Sequence, residues 1–497
     1  MALPTTGQAY ASGRTVAVLD IGSNSCRLVI AVLSPRTGFQ IIEEARALVR
    51  LAPPRRSQAI GASAMRRARQ AFTAFRFIAE SHQPDEFVYL ATAAVRQSSN
   101  RDAVVTAFSD WLGRPVRVAS AEEESRYAVV AAANSFSEPS GTVVDLGGGS
   151  MQIASYQGMD MLRADSLPAG ALLLHQDFIS SDPPRGKQLQ KLRSHLSNLF
   201  AEVPDHVERP VLFVGGTARA IAKLHQRSFG YRLPWAHGYH LTLKQLTRLT
   251  AQLASLSVAE RVQLPGMSAD RADIILAGAL SIEEFCKAAS VEHLVISGEG
   301  VRHGVLYQRL SEAGMLEGDA RGRTVEQLAA VAGEVPYQEA VDSCAGLLVQ
   351  APPAADPLVR ELLPIAARLH RLGDVVSLQR SSRSAEHIVL SREMPGFSHR
   401  EWMLLASALG SQGRLRLRAA DCGPPLHATD VGLVDQVSTL LDLAVELGRT
   451  GSTQVAVEAV DAGLAITCTP VPFVAESLSA RYRSAFSADL TFVEPAG

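Results

Sequence analysis

The chain of 497 residues has few cysteines and no pattern among them. The five are scattered, and no two have the spacing of a zinc site or a redox pair. They are Cys26, Cys286, Cys344, Cys422 and Cys468. We therefore expect a reduced, cytoplasmic protein.

Long apolar runs and an excess of one charge are missing too. No stretch reaches the roughly 20 apolar residues that a membrane-spanning helix needs. Residues 1–14 contain no basic segment followed by an apolar core, so we expect no signal peptide and no membrane partner. The 48 basic residues balance 50 acidic ones, so the net charge predicts no specific nucleic acid as a partner. A chain of this length is too long to fold around one hydrophobic core, so we expect two to four domains.

What the chain does contain is one short loop written twice. Residues 20–25 read Asp-Ile-Gly-Ser-Asn-Ser and residues 145–150 read Asp-Leu-Gly-Gly-Gly-Ser. Each follows a β-branched apolar run and precedes a second strand-like segment. Glycine lets the backbone approach a ligand closely, and successive N–H groups in such a turn bind anions. The leading Asp20 and Asp145 stand where a cation would neutralise the same anion. The alternative is a pair of ordinary glycine-containing hairpins.

Further motifs follow these loops in a fixed order. They are the segments 91–96, 100–102, 120–126, 215–218, 271–278 and 297–304. Together with the twin loops, this ordered set resembles the exopolyphosphatase / guanosine-pentaphosphate phosphohydrolase family. The resemblance extends from about residue 15 to about 310 and continues more weakly to about 410.

The resemblance implies a fold and a division into domains. The fold is α/β, with two lobes like those of actin and sugar kinases (ribonuclease H-like) around a cleft. We expect lobe I at 1–135, lobe II at 136–312 and a third domain at 324–497. The third is a mostly helical α+β domain that resembles a degenerate HD domain. Its expected strands include 414–419 and 453–468, and segments 324–346 and 357–372 are expected to be helical.

The metal-binding His-Asp pair of HD domains is missing from this third domain. His370 is followed by Arg371 where an Asp ligand would stand. A catalytic metal centre needs three or more convergent ligands, so we expect His370 to be a packed histidine and the domain to be non-catalytic.

The resemblance also implies which residues act in the cleft. Phosphate binding is expected from Ser23, Asn24, Arg96, Gly147, Gly148, Gly149, Ser150, Gly215, Gly216 and Thr217. Mg²⁺ is the expected cofactor, held by Asp20 and Asp145. Arg271 and Asp273 open a motif that the family shares, and we expect them to pair with each other.

The general base is expected within the acidic run 122–124. Matching Ser120 and Arg126 to the family motif makes Glu123 the residue that activates water. Neighbours on a helix diverge by about 100°, so only one or two of the three can face a cleft. The alternative is an acidic first turn stabilised by the helix dipole. Seven positions after Asp145 the family carries Glu, whereas this chain has Gln152, which cannot act as a base.

An arginine-rich stretch begins before the first predicted helix and continues through it. Residues 45–79 contain eight arginines and no acid: Arg46, Arg50, Arg55, Arg56, Arg66, Arg67, Arg69 and Arg76. Such a surface attracts a polyanion. The alternative is a solvated helix face over residues 62–77, with Met65, Phe72 and Phe75 packed inward.

These observations favour Mg²⁺-assisted hydrolysis of terminal phosphate from inorganic polyphosphate. Hydrolysis of guanosine pentaphosphate is the close alternative, and a regulator that binds guanosine penta- or tetraphosphate or polyphosphate with little catalysis is another. A sugar or acetate kinase of the same superfamily is disfavoured by the run Glu122–Glu124 with Arg126. Relatives also imply a homodimer.

Overall fold

The computed structural model describes residues 13–35, 37–52, 58–201, 203, 207–350, 356–412 and 423–495. They form two compact units, one within Met1–Phe229 and Pro234–Ala320, the other within Gly230–Leu233 and Arg321–Gly497. Arg55, Arg56, Cys422 and the predicted strand at 414–419 lie outside the described residues.

The first sheet of the first unit has five strands in the order β3-β2-β1-β4-β5. Their bounds are β1 Arg14–Ile21, β2 Ser25–Ser34, β3 Gly38–Leu48, β4 Glu86–Ala91 and β5 Arg117–Val118. The first three strands form antiparallel hairpins, and β4 runs parallel to β1. Both faces of β1 and β2 are apolar and buried, which explains their continuous Val, Leu and Ile runs.

The second sheet repeats this arrangement. Its six strands lie in the order β10-β11-β9-β6-β7-β8. Their bounds are β6 Ser140–Leu146, β7 Met151–Gln157, β8 Asp160–Leu167, β9 Val211–Val214, β10 Tyr239–Thr242 and β11 His293–Ile296. Strands β6, β7 and β8 are consecutive antiparallel partners, and β9 runs parallel to β6. The strand order and directions therefore match those of β1 to β4, and the predicted duplication of the two halves is confirmed.

Eleven helices of the described residues accompany these two sheets. They are α1 Ala62–Ser81, α2 Ala93–Arg96, α3 Arg101–Leu112, α4 Ala121–Ser135, α5 Ala171–Phe178, α6 Gly186–Phe200, α7 Gly216–Ser228, α8 Leu243–Ser255, α9 Val258–Val262, α10 Ile275–Ala288 and α11 Val301–Glu312. Phe72 and Phe75 of α1 pack into the core of the first sheet. The alternative interpretation of this part of the arginine-rich stretch, a helix with a solvated basic face, is thus what the structure has.

Two helices join the halves. Helix α4 precedes the second sheet and packs on it through Ala128, Val129 and Ala132. Helix α11 lies beyond the second sheet in sequence, yet Val305, Leu306 and Leu310 pack with the first sheet. Each half therefore contributes one helix that packs on the sheet of the other half. The cleft between the two sheets lies beside α4 and α11.

The second unit is mostly helical with one small sheet. Its helices are α12 Ala320–Ala332, α13 Gln338–Gln350, α14 Pro357–Leu369, α15 Ser381–Leu390, α16 His399–Gly410, α17 Asp430–Arg449 and α18 Ala475–Phe486. Strands β12 Thr453–Val460, β13 Gly463–Thr469 and β14 Asp489–Val493 form the sheet. The segment 324–346, expected from the sequence to be helical, is divided between α12 and α13, because Gly333 takes a left-handed conformation and Pro336 follows it.

His370 of the second unit is 4% exposed, and its Nδ1 hydrogen-bonds the carbonyl oxygen of Ala367 at 2.8 Å. Burial lowers its pKa. Arg371 pairs with Asp374 instead of standing beside a metal. Across the described part of the chain, no group of three His, Cys, Asp or Glu residues is placed to hold a metal ion.

Among the described helices, none combines the length and the apolar character that crossing a bilayer would require.

Candidate active site

The twin loops meet in one cleft of the first unit. The cleft is lined by the turn after β1, the turn after β6, the start of α7, and residues of α4 and α11. A Cβ atom on Gly148 would lie 3.1 Å from the Cβ of Ser23, so only glycine lets the second turn approach the first this closely. The two turns therefore face a shared space, as the sequence predicts.

Most of the predicted residues line this cleft. Those present are Asp20, Ser23, Asn24, Asp145, Gly147, Gly148, Gly149, Ser150, Gln152, Gly215, Gly216 and Thr217. Asn24 is 7% exposed, and neither its Oδ1 nor its Nδ2 has a hydrogen-bond partner among the described residues. A buried side-chain amide without partners costs free energy, so its place in the lining of the cleft points to a bound polar group.

Glu123 is not one of the residues in the cleft. Its carboxylate accepts a hydrogen bond from the backbone N–H of Ser120 at 3.0 Å, and Ser120 Oγ accepts one from the N–H of Glu123 at 3.0 Å. This capping box starts α4. The carboxylate also pairs with Arg117 on the surface, where the Glu123 side chain is 39% exposed. The bond from Ser120, followed by the Arg117 pair, lowers the pKa of Glu123. The choice of Glu123 as the base therefore needs correction, because this side chain turns away from the cleft.

Glu124 is the acid of the run that faces the cleft. It is 6% exposed. Burial raises its pKa to about 7, although Arg96 opposes the rise; Asp20 and Asp145 contribute to it. The three consecutive acids in the first turn of α4 therefore have different surroundings. Glu122 pairs with Arg126 in solvent, Glu123 caps the helix, and Glu124 is buried.

Arg96 lies behind Glu124 and does not line the cleft. Its Nη1 donates to Glu124 Oε1 at 2.6 Å and to the carbonyl oxygen of Ala119 at 2.7 Å. The expected contact of Arg96 with a substrate phosphate does not match this position. Its contacts instead hold the buried carboxylate in place.

Asp20 and Asp145 occupy equivalent places at the ends of β1 and β6. Burial raises the pKa of Asp20. Burial and, secondarily, the neighbouring Asp20 raise the pKa of Asp145 to about 6. Among the described residues, neither carboxylate has an ion pair. Two neighbouring carboxylates without an ion pair in the described part of the chain, of which Asp20 raises the pKa of Asp145, are suited to a cation placed between them.

Several cations of the cleft were not predicted from the sequence. They are Arg27, Arg219 and Arg302, with the imidazole of His303 beside them. Arg27 lies opposite Asp20 in the β1–β2 register. Burial, followed by the charges of Arg219 and Arg302, lowers the pKa of Arg27 to about 9, so it remains charged at neutral pH.

Arg271 also faces the cleft, whereas Asp273 does not. The Arg271 guanidinium lies against Gly216, where any Cβ atom would collide with it. Burial, then Arg46 and Arg27, lowers the pKa of Arg271 to about 10. Asp273 pairs with Arg50 at 2.7 Å, so the expected pairing of Arg271 with Asp273 is wrong. Within the described part of the chain, neither Arg27 nor Arg271 has an acidic partner within 4.0 Å.

Several arginines of the arginine-rich stretch contact other parts of the protein. Arg46 pairs with Asp270 and Arg50 with Asp273, so its first part ties the end of β3 to the segment before α10. Arg67 of α1 donates to the backbone carbonyl oxygen of Val49. Arg46, Arg50 and Arg67 are therefore bound to other parts of the protein, whereas Arg66 and Arg69 lie on the exposed face of α1.

Comparison with known proteins agrees with this geometry. The model of the Ppx/GppA phosphatase family matches residues 29–313, and the model of Ppx/GppA phosphatase domain III matches residues 321–465. The crystal structure of the Aquifex aeolicus member of the Ppx/GppA family is 26% identical, with a TM-score of 0.53 over 60% of this chain and 98% of that chain.

A structure of an exopolyphosphatase from Cytophaga hutchinsonii is similar in fold. It is 22% identical, with a TM-score of 0.56 over 60% of this chain and 98% of that chain. The resemblance stated from the motifs is thus confirmed, and so is the two-lobed actin-like fold with a helical third domain.

Proposed function

Because the chain belongs to the Ppx/GppA phosphatase family, we propose that it is an exopolyphosphatase that hydrolyses the terminal phosphate of inorganic polyphosphate in the cleft, with Mg²⁺. The observation that carries this proposal is Glu124, a buried carboxylate with a pKa raised to about 7 that lines the same cleft as the two glycine-containing turns. A base whose pKa lies near the operating pH is the most effective proton acceptor.

Four arginines support an anionic substrate. Arg27, Arg219, Arg271 and Arg302 line one cleft, and Arg302 also pairs with Glu44 at 3.0 Å. Burial and, secondarily, repulsion from neighbouring arginines lower the pKa values of Arg27 and Arg271. An extended chain of phosphates relieves that repulsion and accepts bidentate guanidinium contacts.

The residues also fit Mg²⁺. Asp20, Asp145 and the unpartnered amide oxygen of Asn24 are hard oxygen donors. Mg²⁺ is commonly held by one or two carboxylates while keeping waters and substrate phosphate oxygens, so a complete protein cage is not needed. When bound there, Mg²⁺ would neutralise charge on the transferred phosphoryl group.

The protein groups then have separate tasks. The N–H groups of residues 23–24 and 147–150 bind the terminal phosphate, and the arginines bind the phosphates behind it. Glu124 accepts the proton of the attacking water. The bond from the terminal phosphorus to its bridging oxygen breaks, and the shortened chain keeps the electron pair. The actin-like enzymes and P-loop enzymes share this reliance on positioning and charge rather than on covalent chemistry.

Guanosine pentaphosphate is the second candidate substrate. It presents the same terminal anhydride, and its second phosphate group would find the compact arginine cluster beside Gly216. A regulator with weak catalysis remains the other alternative, motivated by the uncharged Gln152. Polyphosphate hydrolysis with guanosine pentaphosphate as competitor separates these: mutual competition with turnover of only one identifies the substrate, and binding without turnover identifies the regulator.

The decisive experiment is orthophosphate release from long-chain polyphosphate by purified protein with Mg²⁺. We expect Glu124→Gln to lower the rate by at least about a hundredfold. Glu122→Gln is the matched control, since Glu122 lies on the same helical turn and its side chain is 66% exposed. Equal losses in both variants, or none in Glu124→Gln, would contradict the assignment. The homodimer and the cytoplasmic location stay predictions, which sedimentation equilibrium and cell fractionation check.

A further inference from the structure

Gln152 occupies the position opposite Asp145 in the β6–β7 register. It is 4% exposed, and it lines the cleft together with Glu124. A glutamine buried this deeply usually has its donors and acceptor satisfied by the protein. The contacts of Gln152 satisfy only one half of its amide.

The NH₂ group of Gln152 has two partners. Nε2 donates to Glu124 Oε2 at 3.1 Å and to Ser150 Oγ at 2.7 Å. An ionised carboxylate only accepts hydrogen bonds, so the NH₂ group rather than the carbonyl must face Glu124 when that residue acts as a base. Both amide hydrogens are then used, and the direction of the side-chain carbonyl is fixed.

The carbonyl oxygen of Gln152 has no such partner. Within the part of the chain that the structure describes, no protein donor reaches Oε1, and this oxygen is not sealed from solvent. It is therefore an acceptor without a protein partner among the described residues, in a side chain that lines the cleft together with Glu124. The other oxygen of Glu124 is held from behind by Arg96 Nη1 at 2.6 Å, so the carboxylate is restrained at both ends.

We propose that Gln152 is a catalytic residue that, with Glu124, holds the attacking water, an inference that rests on the proposed function. The water donates one hydrogen to Glu124 Oε2 and the other to Gln152 Oε1. Its lone pair then points away from both acceptors, towards the terminal phosphorus. A neutral amide can orient water without adding negative charge beside the base, as a glutamine does in some GTPases of unrelated fold.

The hydrolytic step balances with these groups. The water oxygen forms a bond to the terminal phosphorus, and the bond from that phosphorus to the bridging oxygen breaks with its electron pair on the shortened chain. The proton passes to Glu124 Oε2. Gln152 keeps its hydrogen bond to the remaining hydrogen of the former water and changes neither charge nor protonation.

Steady-state kinetics of Gln152→Ala on long-chain polyphosphate with Mg²⁺ test the proposal. We expect kcat to fall about a hundredfold while KM changes by less than about threefold, because the water loses its orientation but the phosphate contacts remain. Gln157→Ala is the matched control, since Gln157 lies at the exposed end of the same strand, and it should match the wild type. Circular dichroism and Tm show that both variants fold.

A second variant separates water orientation from simple support of Glu124. Gln152→Glu keeps an acceptor oxygen but loses the donor to Glu124 and adds a like charge. We expect kcat to fall at pH 7 and to recover partly at higher pH. Wild-type kcat in Gln152→Ala, with Glu124→Gln inactive, would overturn the role of Gln152 and leave the proposed function standing. Wild-type protein that releases no orthophosphate would overturn both.

Discussion

The pH dependence of kcat/KM is the most direct consequence of the buried acid. Burial raises the pKa of Glu124 from an ordinary 4.5 to about 7. A base acts only when deprotonated, so about a tenth of the enzyme is active at pH 6, about half at pH 7 and about nine tenths at pH 8. We therefore expect kcat/KM on polyphosphate to rise about tenfold between pH 6 and pH 8.

The rise in the pKa of Glu124 corresponds to a free energy that can be compared with its cause. A rise of about 2.5 units corresponds to about 3 kcal/mol, the cost of ionising the carboxyl group in the cleft rather than in water. Arg96 at 2.6 Å is the only described ion-pair partner of Glu124 and opposes the rise. Removing that guanidinium by Arg96→Met should therefore move the acidic limb to higher pH.

The assay follows initial orthophosphate release at saturating Mg²⁺ across pH 5.5 to pH 9. Terminal phosphate groups of the substrate titrate near neutrality as well, so the residual rate of Glu124→Gln supplies the substrate's own profile as a control. A limb near pH 4.5 in the wild type would refute the reasoning. So would a limb near pH 7 that persists unchanged in Glu124→Gln.

Three further predictions concern stability and binding. The free energy of unfolding without ligands should fall between pH 5 and pH 8. The folded-state pKa values of Glu124 and Asp145 are raised, so the stability that these groups contribute below their unfolded-state pKa values is lost as the pH rises to about 6 to 7. Urea titrations at both pH values measure this fall, and Asp145→Asn should make it smaller. Asp273→Ala should lower the stability by about 1–2 kcal/mol, since it leaves the half-buried Arg50 without its acid; an unchanged urea midpoint would show that the pair contributes nothing. Arg27→Gln should raise the KM for polyphosphate about tenfold or more with kcat nearly unchanged, because it removes one charged phosphate contact; equal loss in kcat would place Arg27 at the reacting phosphorus instead.

The duplicated fold could be predicted because its signal is local and repeated. Each half begins with an apolar strand, an Asp, a tight glycine-containing turn and a second strand, and the structure pairs these strands as antiparallel hairpins. The exchange of α4 and α11 between the halves could not be predicted in this way. Both helices are apolar on one face, and only the assembled sheets decide which core each face joins.

The sequence contains a signal that distinguishes Glu123 from Glu124, and motif matching did not use it. Ser120 and Glu123 stand three positions apart at a helix start, which is the sequence signature of a capping box. The carboxylate of a residue in a capping box accepts a hydrogen bond at the helix N-terminus. One position further, Glu124 is rotated by about 100° and reaches the buried side of α4. Capping chemistry therefore distinguishes the two acids, whereas motif matching chose the one that does not line the cleft.

The arginines of the cleft were missed for a different reason. Arg219 and Arg302 come from α7 and α11, far apart in the chain, and nothing in either helix marks them as neighbours of the turns. Arg27 is different, because a hairpin with a tight turn after Asp20 must place the residue seven positions later opposite it. The same rule applied to the second hairpin places Gln152 opposite Asp145.

The equivalent positions of Arg27 and Gln152 explain how two similar hairpins can serve different steps. Both side chains extend into the cleft from the second strand, directly across from an aspartate. Arg27 lies among other cations, where its charge attracts phosphate, and a neutral side chain there would weaken binding. Gln152 instead donates a hydrogen bond to Glu124, the proposed base, without adding a charge beside it. On the proposed mechanism, the charged Arg27 therefore binds the chain of phosphates, and the neutral Gln152 directs the attacking water from the equivalent position of the second hairpin.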